Sequence, residues 1–134
     1  MNNSIFYKLY YRKAVIKMLM EIYLDEEKAK KHEIDIKHCY EIIDNYFDER
    51  GVEKIARGIY RGVKKDFTTF ACMQGQLPQT EWFLKIVDQW YISYFGDEPD
   101  SPEYREDALA TYYKVKERDE RYFRKQKSTQ FRFK

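Results

Sequence analysis

Only two cysteines, Cys39 and Cys72, occur in this chain, and no Cys-x-x-Cys pair. A disulfide framework and a zinc or dithiol motif are thereby excluded. Each cysteine lies within an apolar pattern of helical spacing, where a small buried thiol is common, so both are expected as reduced core residues. Glycine is scarce, with no glycine-rich phosphate loop and no G-x-S-x-G elbow among its five residues. Histidine is limited to His32 and His38. On the segment after Asp35, the row Asp35, His38, Glu41 and Asp44 repeats every three residues, but a bundle metal site needs a matching row on a facing helix. An exposed polar face capped by Asp35 accounts for it, and adjacent His38 and Cys39 point apart on a helix, which disfavours a Cys/His catalytic pair. No catalytic, metal or cofactor site is expected, and the chain reads as a non-enzyme.

Long apolar runs are missing too. No window reaches about 18 uncharged apolar residues, and the opening MNNSIFYKLYYRK does not have the charged-then-apolar layout of a secretion signal. The expectation is a cytoplasmic protein with no membrane span. At 134 residues the chain suits one domain.

What is abundant is aromatic and charged. Thirteen Tyr, nine Phe and two Trp make up 18% of the chain, more than a small core ordinarily uses, so part of that surface is expected to face a partner. Charge is polarised. Residues 1–20 carry four basic and no acidic residues, and residues 111–134 carry nine basic and three acidic; with +2 overall, 21–110 holds −8. That balance falls short of a dedicated nucleic-acid domain.

Apolar periodicity predicts an all-α bundle of five helices. The first runs from a Ser4 cap to about Lys31, on Phe6, Leu9, Ile16, Met20 and Tyr23. The second starts at the Asp35 cap, buries Ile36, Cys39, Ile43, Tyr46 and Phe47, and stops at Gly51. The third spans Val52 to about Met73, with Gly58 and Gly62 allowing close approach of a neighbour. The fourth, Trp82–Phe95 (WFLKIVDQWYISYF) between a Thr80 cap and Gly96, is apolar on nearly every side and so predicts a central rod enclosed by the others. The fifth begins near Pro102 after Ser101 and runs to about Lys127, leaving 128–134 as a tail beyond a 1–127 domain. A helix-turn-helix reading of the Ala71–Gly75 turn fails because Pro78 falls where a recognition helix would start.

Two surfaces stand out as candidate sites. On the fifth helix Lys114, Arg118, Arg121 and Lys125 recur at steps of four, three and four, beside Tyr113 and Tyr122, a stripe suited to phosphates or to an acidic protein surface. The aromatic groups containing Tyr7, Tyr10 and Tyr11, and Tyr91 and Tyr94, predict an interface patch, self-association included. The expected function is a non-enzymatic binding or regulatory protein in stoichiometric contact with a protein partner. Composition rich in Lys, Ile, Tyr, Asp and Glu is that of AT-rich microbial and phage genomes, so an inhibitor or accessory factor of a mobile element fits it. The alternative is an RNA- or DNA-binding accessory protein using the basic fifth helix.

Overall fold

The computed structural model describes residues 16–96 and 103–132, with side chains through Lys125. Its centre is a five-stranded antiparallel sheet, so the all-α expectation is overturned: the class is α+β. In chain order the elements are β1 (Met18–Leu24), α1 (Glu26–Lys31), α2 (Ile36–Glu49), β2 (Glu53–Ala56), β3 (Ile59–Gly62), α3 (Phe67–Gln76), α4 (Phe83–Ile86), β4 (Val87–Tyr94), β5 (Tyr104–Asp107) and α5 (Ala108–Arg132); short 3-10 turns flank α3. The sheet order is β2-β3-β1-β4-β5. Without β5 and α5, this is the βαββαβ arrangement of the split βαβ, or ferredoxin-like, topology.

β1 alternates strictly. Met18, Met20, Ile22 and Leu24 are buried, whereas Leu19, Glu21 and Tyr23 are half-buried on the opposite face. The predicted first helix is therefore replaced by this strand and the short α1, its stretch before Ile16 lying outside the described residues. Asp25 begins α1 by accepting hydrogen bonds from the Glu27 and Lys28 amides at 2.8 and 3.1 Å.

The predicted second helix is found almost as read. Asp35 Oδ1 accepts from the Lys37 and His38 amides, Cys39, Ile43 and Phe47 are buried, and Gly51 stands at φ +72° just past the C-terminus.

The predicted third helix breaks in two. Its first half is the β2–β3 hairpin, in which Gly58 sits at φ +75° in the turn, and only its second half, α3, is helical. Gly62 does permit a close approach, but to the Phe70 ring across the core, 2.7 Å from where a Cβ would sit. Cys72 is exposed, against the expectation of a buried thiol; Cys39 is buried, and burial pushes its thiol pKa up.

The central rod is not a helix. Thr80 Oγ1 accepts the Phe83 amide at 3.1 Å and opens a single turn, α4, after which Val87–Tyr94 extends as a strand between β1 and β5. A bulge explains the false signal. Tyr23 pairs with Gln89 and Leu24 with Val87, so Asp88 is an extra residue that shifts the alternation and puts Val87 and Trp90, three apart, on the same buried side. The segment is nonetheless enclosed, with Phe83, Ile86, Trp90 and Ile92 all buried, but by its place inside a sheet and not by a surrounding bundle.

The core lies between the sheet and α2–α3. Phe47 stacks on Tyr60 with ring centroids 4.3 Å apart and meets Phe70 at 5.4 Å, and Phe83 meets Trp90 edge-on at 5.0 Å. Asp44 accepts from the Tyr60 hydroxyl and from Lys54 Nζ, which anchors α2 to the hairpin. The opposite face of the sheet carries a polar lattice. Arg105 donates to Glu21 at 3.0 Å while lying 3.8 Å over the Tyr91 ring, Tyr23 donates to Glu21 at 2.7 Å, and Arg61 pairs with Glu53.

Candidate functional site

The fifth helix starts later than its proline signal suggested, because Tyr104–Asp107 first adds β5 to the sheet edge. Asp107 then accepts the Ala110 amide at 3.0 Å and caps α5, which continues through Arg132, so residues 128–132, expected as tail, are helical. At 1.5 Å per residue its 25 residues extend about 37 Å. Ala108 is buried and Leu109 packs on the core, but from Tyr113 to Lys125 every side chain is exposed. Tyr113, Val115, Tyr122 and Phe123 are 48, 40, 59 and 64% exposed.

Local pairing helps this helix to persist. Glu117 accepts from Arg121, Glu120 lies 4.0 Å from Arg124, and Arg118 lies 3.9 Å from Asp119. Such exposed pairs contribute only about 0.3–0.5 kcal/mol each.

At about 100° per residue, Ala108, Tyr112, Val115, Asp119 and Tyr122 fall within one face of α5, with Phe123 at its margin. The predicted cation stripe Lys114, Arg118, Arg121 and Lys125 runs beside that face, with Arg118 and Lys125 nearest its border; Lys116 and Glu120 flank the other side, and Glu117 lies on the back. Of the aromatic residues singled out with the stripe, Tyr122 belongs to the apolar seam, while Tyr113 points away from it and packs edge-on against Tyr112 at 5.2 Å. The sequence-predicted cations are thus brought together, beside the seam.

The proximal end of the seam opens into a trough of about 310 Å³. Trp90 lines it from the sheet, Ala71, Gln74 and Gly75 form the α3 wall, and Ala108, Thr111, Tyr112 and Val115 form the α5 wall. A Cβ built on Gly75 would meet nothing within 4 Å, so that wall is uncovered. Of these, Trp90 belongs to the aromatic group with Tyr91 and Tyr94, and Ala71 and Gly75 signal themselves in the sequence by their spacing of four.

The predicted aromatic interface is not assembled as one patch. Tyr7, Tyr10 and Tyr11 lie outside the described residues. Tyr91 sits on the polar face, donating to Gln89 at 3.1 Å, whereas Tyr94 is on the helix-covered face, stacked with Tyr104 at 6.2 Å. Burial and nearby Glu106 raise the Tyr94 pKa, and the hydrogen bond to Glu21 together with burial raises that of Tyr23.

A second hollow, of about 270 Å³, brings His32 and His38 together with Asp35, Glu81, Trp82 and Lys85. Among the described residues no three His, Cys, Asp or Glu side chains are placed to hold a metal ion. Nor is any described helix long and apolar enough to cross a membrane. No protein-family model matches the chain, and comparisons with curated proteins and with solved structures find no match.

Proposed function

We propose that this chain is a non-enzymatic binding protein that acts by stoichiometric contact with a protein partner, and that α5 makes the contact. The observation that carries this reading is the uninterrupted exposure of α5 from Tyr113 to Lys125, four large apolar side chains included. The exposed stretch from Tyr113 to Lys125 has the length at which an isolated helix in water is marginal, and the ion pairs described along it supply little. An amphipathic helix presented in this way is a common means of protein recognition, its apolar residues at helical spacing serving as anchors. An inhibitor or accessory factor would need no more than this.

The test is copurification of partners by tagged full-length protein, with nuclease treatment, compared with the Val115→Asp and Tyr122→Ser variants. Proteins that survive nuclease and disappear with both substitutions are the expected result. Retention of all captured proteins by both variants would remove α5 from the contact. The reading as an RNA- or DNA-binding accessory protein is favoured by one observation, the exposed row of Lys114, Arg118, Arg121 and Lys125. It requires affinity that falls steeply with salt.

A further inference from the structure

Resting on the protein-partner reading, we infer that the trough between α3 and α5, continued outward by the α5 seam, receives an acidic amphipathic helix of the partner. The shape favours a helix. The trough is bounded by one helix on each side, and its α3 wall carries, beside Gln74, the small residues Ala71 and Gly75, four apart, which let a helical backbone approach closely. From Ala108 to Phe123 the seam runs about 22 Å, or four turns, a usual span for a helix held by anchors at i, i+3 or i+4, and i+7.

Charge specifies the chemistry. Arg118 and Lys125 border the seam on one side, with Lys114 and Arg121 behind them; on the other side Lys116 is offset by Glu120, and Asp119 is the one acid among the seam positions. A ligand helix with carboxylates along the flank of its apolar strip therefore meets opposite charge along the cationic border, as in the pairing rules of coiled coils.

A second copy of α5 does not suit the site. Two α5 helices laid together antiparallel would set cation row against cation row, with Glu117 and Glu120 already paired to Arg121 and Arg124 of their own helix. A nucleic acid suits it less well than an acidic helix. Phosphates along the row would approach Asp119, which lies 3.9 Å from Arg118, and the aliphatic Ala108 and Val115 interrupt Tyr112, Tyr122 and Phe123 as a stacking surface.

The experiment uses the full chain and three labelled probes followed by fluorescence anisotropy. The first is a designed amphipathic peptide of about 21 residues, six turns, with Leu on its apolar strip and Glu on both flanks. The second has Gln for every flanking Glu, and the third is a single-stranded RNA of about 20 nucleotides. Binding of the Glu peptide is expected, weakened about tenfold or more by the Gln replacement, by Tyr122→Ala, and by Gly75→Leu, which fills the trough. Unchanged circular dichroism melts show that the variants fold.

Equal binding of the two peptides would overturn the acidic assignment and leave a protein-binding arm standing. RNA binding that survives Tyr122→Ala, with neither peptide bound, would overturn both readings. Failure of the Glu peptide to bind would also overturn the inference. So would a doubled mass in light scattering that Tyr122→Ala abolishes, because a second copy would then hold the seam.

Discussion

Replacing Gly58 with alanine tests whether Met18–Leu24 is the central strand. Gly51 and Gly58 share almost the same left-handed conformation, φ +72° and +75°, so alanine at either position carries the same backbone penalty of about 1–2 kcal/mol. Their surroundings differ. A Cβ at Gly51 meets nothing within 4 Å, whereas at Gly58 it would lie 2.2 Å from the Ile22 carbonyl oxygen and 3.0 Å from the Tyr40 ring. The approach is fixed by the Ile22 amide, which donates to the Gly58 carbonyl at 2.8 Å, so relief means lifting the hairpin turn off β1. Loss of that bond and exposure of its buried partners costs about 1–3 kcal/mol more. Gly51→Ala should therefore lower unfolding free energy by about 1 kcal/mol, and Gly58→Ala by about 3–4. Urea denaturation followed by circular dichroism measures both; with a slope of about 1–3 kcal/mol per molar, the difference is a clear shift of midpoint. Equal losses at the two glycines would mean that Ile22 is not beside the turn, and the β1–β3 register would fall with it.

Ser93 is 1% exposed and its hydroxyl has no hydrogen-bond partner among the described residues, so Ser93→Ala should raise stability by about 1 kcal/mol, read as a melting temperature higher by roughly 3–5 °C; a decrease refutes the unpaired assignment. Tyr60 is pushed above its ordinary pKa of 10.0 by burial and by its hydrogen bond to Asp44, so the folded state keeps a proton that the unfolded chain releases. Its stabilising share is complete below pH 10 and declines as pH rises beyond it, and Tyr60→Phe should flatten that alkaline decline in denaturation midpoints measured at successive pH values. Asp35→Ala removes the side-chain acceptor at the start of α2 and should cost about 1 kcal/mol in the same urea assay, a null effect ruling out the cap. Tyr122→Ala and Phe123→Ala should leave the unfolding free energy from the urea assay within about 0.5 kcal/mol of the parent; a larger loss would show that α5 packs on its own domain.

The two ends of α2 were the legible part of this fold. Asp35 and Gly51 bracket α2 because capping depends on one side chain or one backbone conformation, both local properties. Strands were illegible where short-range spacing imitates a helix. Val87, Trp90 and Tyr94 stand three and four apart because a bulge at Asp88 resets the alternation, and a bulge is decided by the partner strand. Gly58 and Gly62 look like a close-packed helix pair, although one is a turn and the other lies in a strand against Phe70. In the candidate site the cation stripe was readable, since periodicity on one helix requires no tertiary information. The trough was not, because Trp90, Gly75 and Ala108 meet only after the sheet has formed.

The position of β1 has a consequence for synthesis. It is made before the other described strands, yet its two neighbours are β3 and β4, so one edge is covered only when Gly62 is available and the other only when Tyr94 is. At roughly 5–20 residues per second, the ribosome leaves the second edge bare for roughly 2–6 s after the first can close. During that interval MLMEIYL, four of whose side chains end up in the interior, is a bare β-edge on a nascent chain, and chaperone occupancy at this stage should be correspondingly high.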